Sequence, residues 1–321
     1  MSLAIVRFSL GEDIQWGLKD TDGIKPLNIP CTTTAALINM GYTAISAACD
    51  TAQPALDETA LSLLSPITAD AKVMCQGANY RQHMLDSGMD PDAKAFNMFF
   101  TKSSASIFSP RGEIIRPAHV QLLDYEVELT LVLGKKTCGE IQVTAENLHE
   151  YVAGICIGND ISARDVQIPQ MQFHKGKSYR TFCPMGPVLY LLRREEMQQL
   201  NNMQLSLSVN GKIRQQDCSA NMVFKPVVTI REYSQIADFN PGDVIMTGTP
   251  AGCAMALPSA LLIRMAALLP EKTKWALFHK KQLARREYLQ PGDTMECSIK
   301  SLDGKIDLGT QVHRIISAGV A

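Results

Sequence analysis

The sequence predicts a β-rich α+β fold, and three observations carry that reading. From Lys72 onward, short alternating or apolar runs such as Leu123–Leu133, Gly154–Gly158, Leu205–Val209 and Met295–Ile299 are set apart by Gly, Pro and Asp, the pattern of strands and turns. Asn210-Gly211 falls between Leu205–Val209 and Lys212–Arg214, and both residue types accept the positive φ that a two-residue hairpin demands. Helix-like spacing is concentrated ahead of this region. No repeat of roughly 20–50 residues is visible, so solenoids and propellers are not favoured.

Taken in order, Ile5–Phe8 and Ile14–Leu18 read as strands, punctuated by Gly11 and Asp20-Thr21-Asp22-Gly23. Thr32–Ala48 and Pro54–Leu64 then space Ala and Leu as helices do, and Pro66 closes that part. Residues 1–68 are therefore expected to form a small N-terminal α+β accessory domain, with residues 69–321 as the larger domain.

Composition bounds the partners. The 321 residues are 46% hydrophobic and 20% charged with a net charge of -1, which fits a globular chain and gives no electrostatic reason to bind nucleic acid or an anionic membrane. Nine cysteines, an odd number, include no C-x-x-C pair. A disulfide framework and a structural zinc site are therefore not expected, and a reducing cytoplasm is. No apolar run approaches the ~20 residues of a membrane span, and the N-terminus lacks a basic region followed by an apolar one.

The segment Leu122–Gly134 is the most informative. With period two, Leu123, Tyr125, Val127, Leu129, Leu131 and Leu133 share one face, while Asp124, Glu126, Glu128 and Thr130 share the other. Two glutamates thus point the same way, with Cα atoms ~6.5–7 Å apart. In the body of a sheet adjacent carboxylates repel and lose solvation, and a hard divalent cation relieves that cost. The alternative is a half-exposed strand whose glutamates face water. Farther on, the apolar run Gly154–Gly158 ends in Asn159-Asp160, and a helical turn would place Arg164 and Gln167 on one face. Asp160 at a strand mouth suits a ligand, Arg164 offers a fork to a carboxylate, and Gln167 supplies a neutral donor.

Several ordered motifs together resemble the fumarylacetoacetate hydrolase family, in its bacterial 2-oxo and 2,4-dioxo acid hydrolase, hydratase or isomerase type. They are Glu126-Val127-Glu128, Asn159–Gln167, Lys175-Gly176-Lys177-Ser178 with Cys183-Pro184-Met185-Gly186-Pro187, and Gly242–Pro250. The likeness spans about residues 70–255 and resumes at Leu289–Asp293. It implies a catalytic domain built as a mixed β-sheet roll and a metal site of Glu126, Glu128 and Asp160 holding Mg²⁺ or Mn²⁺, with Ca²⁺ able to stand in within crystals. It also implies Lys177 near the substrate oxygens, Arg164 and Gln167 completing a polar pocket, and Thr249 offering donors to a substrate carboxylate. Upstream, Gly77-Ala78-Asn79-Tyr80-Arg81-Gln82-His83 resembles the family's Gly-x-Asn-Tyr-x-x-His segment. That match implies a general base at His83, oriented by Asp86 at i, i+3 where some members carry Glu, with Tyr80 and the more weakly matched Lys102 at the substrate.

The resemblance implies an enzyme acting on a small 2-oxo or 2,4-dioxo acid, as a homodimer. The reaction expected is metal-dependent cleavage of a C–C bond in an acylpyruvate, fumarylpyruvate or fumarylacetoacetate-like acid. Decarboxylation, isomerisation or hydration of a 2-oxo acid in aromatic catabolism is the alternative, and a non-catalytic metal- or ligand-binding relative a further one. The chain departs from the family at about 256–288, where an apolar stretch from Pro258 to Leu269 is followed by Lys272, Lys274, His279, Lys280, Lys281, Arg285 and Arg286 around Trp275, Leu277 and Phe278. This reads as a helical insertion with a solvated basic face, or else as a subunit contact or a pocket wall that recruits acidic substrates. The whole functional reading depends on three acids from two segments converging on one ion, with no lysine or arginine standing between them.

Overall fold

The computed structural model describes residues 3–93, 96–256 and 268–319, so most of the apolar stretch expected at 258–269 lies outside the described residues. The first part of the chain holds β1 (Leu3–Leu10), β2 (Asp13–Asp20), β3 (Gly23–Pro26), α1 (Thr34–Asp50), β4 (Ser62–Leu64), β5 (Val73–Gly77), α2 (Arg81–Asp86) and β6 (Met98–Lys102). The middle holds β7 (Ile107–Phe108), β8 (Arg111–Arg116), β9 (Leu123–Asp124), β10 (Val127–Leu133), α3 (Leu148–Tyr151), β11 (Val152–Asn159), β12 (Ser162–Ala163), α4 (Arg164–Gln167) and α5 (Phe173–Lys177). The last part holds β13 (Cys183–Pro184), β14 (Val188–Leu191), β15 (Met203–Val209), β16 (Lys212–Cys218), α6 (Pro226–Tyr233), β17 (Val244–Met246), α7 (Glu271–Leu283), β18 (Thr294–Ser301) and β19 (Asp307–Ser317). Strands outnumber helices, as the sequence predicts of a β-rich α+β chain.

The larger sheet runs β3-β2-β1-β14-β11-β10-β17-β5-β6, with β4 also paired to β1. The smaller runs β16-β15-β18-β19-β8. Leu129 and Leu131 of β10 share one apolar cluster with Leu205 and Leu207 of β15 and Ile299 of β18, so the two sheets pack face to face there. On the opposite face, Val132, Cys156 and Met246 join Leu37 and Ile45 of α1. All seven residues of β10 are buried, because helix covers one face of this strand and sheet the other. The hairpin at Asn210-Gly211 forms as expected, with φ of 51° and 75°.

Residues 54–64, whose spacing suggests a helix, instead make a short 3₁₀ turn at 58–60 and then β4. Pro54 withholds a donor, and Leu63 opposite Phe8 adds an edge pair to β1, so alternation wins over helical periodicity. The four strands of residues 1–68 extend the larger sheet rather than forming a separate one, since β1 pairs with β14 from Leu3↔Leu191 to Val6↔Val188. All nine cysteines are free. Among the described residues, no helix is long and apolar enough to cross a membrane.

Candidate active site and metal centre

The continuous strand expected over 122–134 is broken, and the break builds the site. The carboxylate of Asp124 accepts from the backbone N–H of Tyr125 at 2.8 Å, Ala254 at 2.7 Å and Met255 at 3.1 Å, which pulls the chain out of the ladder between β9 and β10. Buried side-chain amides take up the donors left free. Glu126 N–H donates to Asn159 Oδ1 at 3.1 Å, and Val127 N–H donates to Gln215 Oε1 at 3.0 Å. Asp160 follows β11 directly, and its N–H donates to the carbonyl of Glu126 at 2.8 Å. Asp160 is thereby tied to the glutamate pair by main chain. A Cβ at Gly158 would lie 2.3 Å from Thr130 Oγ1, so only glycine lets β11 pack this closely against the face that carries Glu128.

Glu126, Glu128 and Asp160 converge, each offering an oxygen within 4.8 Å of the others, and all three are buried. The cations around them come from three segments. Lys177 on α5 donates to Glu126 Oε2 and Asp160 Oδ2 at 2.6 Å each and to Ser162 Oγ at 2.8 Å. Arg164 on α4 donates to Asp124 Oδ2 at 2.8 Å, to Gln167 Oε1 at 2.7 Å and to Glu126 Oε1. Lys102, at the end of β6, binds Asp160 Oδ1 and the carbonyl of Phe182. The expectation that no lysine or arginine stands between the acids is therefore corrected, since Lys177 bridges Glu126 and Asp160 and Arg164 binds Glu126, and the metal reading rests instead on Glu128, to which no lysine or arginine donates among the described residues. The physical reason is charge. Four buried carboxylates, counting Asp124, require nearby positive charge, and a lysine stem is long and flexible enough to bring it.

These three cations leave the cluster one positive charge short of its four carboxylates. Glu128 is the acid left over: it is 2% exposed, and among the described residues its one hydrogen bond comes from the backbone N–H of Gly248 at 2.7 Å. Burial, reinforced by the charges of Asp160 and Glu126, pushes its carboxyl well above the ordinary range. Glu126 behaves oppositely. Burial would raise it, but Arg164 and Lys177 hold it well below the ordinary range. Burial likewise opposes the charge on Lys177, yet Asp160 and Glu126 keep its ammonium protonated above its usual value. An all-oxygen set with one carboxylate lacking a cation fits a hard divalent ion, so the acidic triad could hold a metal.

A cavity of about 140 Å³ opens onto Glu126 and Glu128 of the triad. Glu126, Glu128, Arg164, Gln167, Lys177, Thr249 and His83 line it together with the apolar Met89, Met98, Phe100, Phe173 and Met255. His83 on α2 is partly buried, and that burial lowers its pKa. Asp86 does not pair with it; its carboxylate accepts from Gln82 Nε2 at 2.8 Å instead. The hydroxyl of Thr249 is committed to the carbonyl of Val127 at 3.0 Å and accepts from Gln215 at 2.8 Å. Tyr80 and Lys102 do not line the cavity. Tyr80 is fully buried and bridges to Met222, and Lys102 sits behind Asp160. Sequence reasoning missed Asp124, Asn159 and Gln215, although Asp124 lies two residues ahead of Glu126 on the same predicted face.

The family model for the fumarylacetoacetate hydrolase C-terminal region matches residues 72–316. The chain is 32% identical over 288 residues to the mitochondrial oxaloacetate tautomerase Fahd2a of Rattus norvegicus, covering 88% of this chain and 80% of that one. It is 36% identical over 196 residues to the oxaloacetate tautomerase YisK of Bacillus subtilis, covering 60% and 63% of the two chains. Among solved structures, the fumarylacetoacetate hydrolase of Exiguobacterium antarcticum superposes with a TM-score of 0.76 at 27% identity, covering 98% of this chain and 100% of that one. With the family model matched from β5 through β19, the chain belongs to the fumarylacetoacetate hydrolase family of enzymes, whose substrates are small molecules.

Proposed function

We propose that this enzyme interconverts the enol and keto forms of a small 2-oxo acid, with oxaloacetate the first substrate to test, and that Mg²⁺ or Mn²⁺ is the ion at Glu126, Glu128 and Asp160. The observation that carries the reading is the buried triad, flanked by Arg164 and Lys177, at the end of a cavity of only 140 Å³. That is well below the roughly 300–1,000 Å³ of pockets for drug-sized ligands. Likeness to an oxaloacetate tautomerase over most of the chain supports this reaction class.

A divalent ion held there would polarise the 2-oxo group and favour the enolate. The chain's own residues supply the rest. Arg164, with three of its five N–H groups committed, offers the others to substrate oxygens, Asp124 and Gln167 fix its guanidinium in one orientation, and Lys177 holds Glu126 and Asp160 in place. His83, kept neutral near pH 7 by burial, takes the proton from C-3 and delivers it to the 2-oxygen when the enol forms, and carries it from the 2-oxygen back to C-3 when the keto acid forms. The methionine and phenylalanine wall keeps bulk water from the reacting carbons, which favours proton transfer over attack by water.

Hydrolysis of a 2,4-dioxo acid remains the second reading, supported by His83 at the cavity and weakened by Asp86, whose pairing with Gln82 leaves the ring without its orienting acid. The same proposal takes the chain as a cytoplasmic homodimer with residues 1–68 as an accessory unit.

The test follows the ultraviolet decay of enol-oxaloacetate after chelation and after adding Mg²⁺ or Mn²⁺, beside acetylpyruvate and fumarylpyruvate. Metal-dependent acceleration of enol decay, lost in Glu126→Gln and Glu128→Gln while both variants stay folded, is expected. Cleavage of acetylpyruvate with no effect on the enol would replace this reading with the hydrolase one, and unchanged activity in both variants would remove the metal site.

A further inference from the structure

The helix α7 is unusual in what it buries. Lys272, Leu277, Lys280 and Lys281 are exposed, Trp275 and Phe278 are half-buried, and the one fully buried residue of this helix is the polar Gln282. A buried amide costs free energy unless its hydrogen bonds are made, and once made they specify position more sharply than apolar contact. Gln282 Nε2 donates to the carbonyl of Ala256 at 2.8 Å, and Gln282 Oε1 accepts from the Tyr288 hydroxyl at 2.7 Å. Just past the helix, Arg285 Nε donates to the carbonyl of Ala254 at 2.7 Å.

Between those two carbonyls stands Met255, which lines the cavity. On the other side the N–H groups of Ala254 and Met255 are held by Asp124, the same carboxylate that orients Arg164. Asp124 grips the donors of this short segment while Gln282 and Arg285 grip its acceptors. The backbone on either side of Met255 is thereby fixed from both directions.

We propose that α7 and its C-terminal turn are a clamp that limits substrate size: Gln282 and Arg285 fix the Ala254–Ala256 backbone so that Met255 holds its part of the cavity wall against larger groups. The inference rests on the reading of the cavity as a 2-oxo acid site. Gln282 and Arg285 are positioning residues, touching the wall and not the reacting atoms. The exposed Lys272, Lys280 and Lys281 of α7 take no part.

The test uses the full chain with saturating Mg²⁺ and calorimetric binding of two probes, oxalate, which has a head and no tail, and 2-oxo-4-methylpentanoate, whose branched tail must meet the wall. In Gln282→Leu and Arg285→Met, oxalate affinity is expected to stay at the wild-type value while affinity for the branched acid rises at least about tenfold, the scale of adding room in an apolar pocket. Met255→Ala shifts the ratio of the two affinities in the same direction. An unchanged ratio in the folded variants, or an equal loss of both ligands, overturns the clamp. Arg285 is partly exposed, so Arg285→Met decides alone if Gln282→Leu does not fold. If wild type with Mg²⁺ binds neither probe, the 2-oxo acid reading itself fails and the clamp falls with it, a result distinct from wild-type binding with an unmoved ratio.

Discussion

Replacing Lys177 by Met removes an ammonium that touches both Glu126 and Asp160 at 2.6 Å while keeping most of the apolar stem. Its side chain is 2% exposed, and those of its partners are 8% and 0%, so water cannot replace it. With the Glu128 carboxyl pushed toward its neutral form, Asp124, Glu126 and Asp160 are matched by three cations in the wild type, and the variant, keeping two, carries one more uncompensated negative charge. Removing one partner of a buried pair costs about 3–5 kcal/mol. Unfolding entropy of about 2.1 cal/mol/K per residue over 321 residues comes to about 0.7 kcal/mol/K, so the metal-free variant should melt about 4–7 °C below wild type.

Scanning calorimetry after chelation measures that drop, and a titration with Mg²⁺ or Mn²⁺ measures its recovery. A cation that binds only the folded chain raises Tm by mass action, and with the competing ammonium gone the rise should exceed that of wild type. A suitable control is Lys19→Met. Lys19 meets Glu58 at the same 2.6 Å, but with 31% and 24% exposure, and exposed pairs contribute at most about 1 kcal/mol. If metal-free Lys177→Met melts no lower than the control, or gains no more from metal than wild type does, the charge argument for the site is wrong.

Three further outcomes are expected. His83→Ala should leave metal affinity intact, measured by calorimetry, and lower kcat for enol decay about 10²–10⁴-fold; because burial lowers the pKa of His83, the wild-type acid limb should lie below the ordinary value of about 6.5, with activity falling as pH drops through it. Gln215→Leu leaves Val127 N–H and Thr249 Oγ1 without their buried partner and should weaken metal binding about 10–100-fold, read by Mn²⁺ titration beside a melting curve. His313, buried with its Nε2 on the carbonyl of Ser109 at 2.9 Å, has its pKa lowered to about 4 by desolvation. The unfolded chain alone binds that proton between about pH 6.5 and 4, so stability should fall by about 3 kcal/mol as pH drops across this window, then level off; denaturant melts of wild type and His313→Gln should differ in slope there, and equal slopes would place the proton elsewhere.

The direction of the two glutamates was legible because strand alternation is local: period two alone puts Glu126 and Glu128 on one face, and the resemblance supplied Asp160. Partners are a different matter, since a side chain chooses among everything the fold brings near. Asp86 sits three residues from His83 and four from Gln82, both helical neighbours, and the choice of Gln82 depends on how α2 meets the cavity. Lys102 matched a motif at the substrate but is drawn behind Asp160, where a buried carboxylate already accepting from Lys177 has a second oxygen to satisfy.

The break at Asp124 is the sharpest case. An unbroken ladder is what alternation predicts, and the force that breaks it comes from the N–H groups of residues 254 and 255 and from Arg164, none of them near in sequence. Yet the break leaves Glu126 outside β10 and lets Asp160 pair with its carbonyl, while Glu128 remains inside the strand beside Gly158. Glu126 meets Arg164 and Lys177 while Glu128 is held by the N–H of Gly248, and that difference in electrostatic surroundings drives one carboxyl well down in pKa and its neighbour well up.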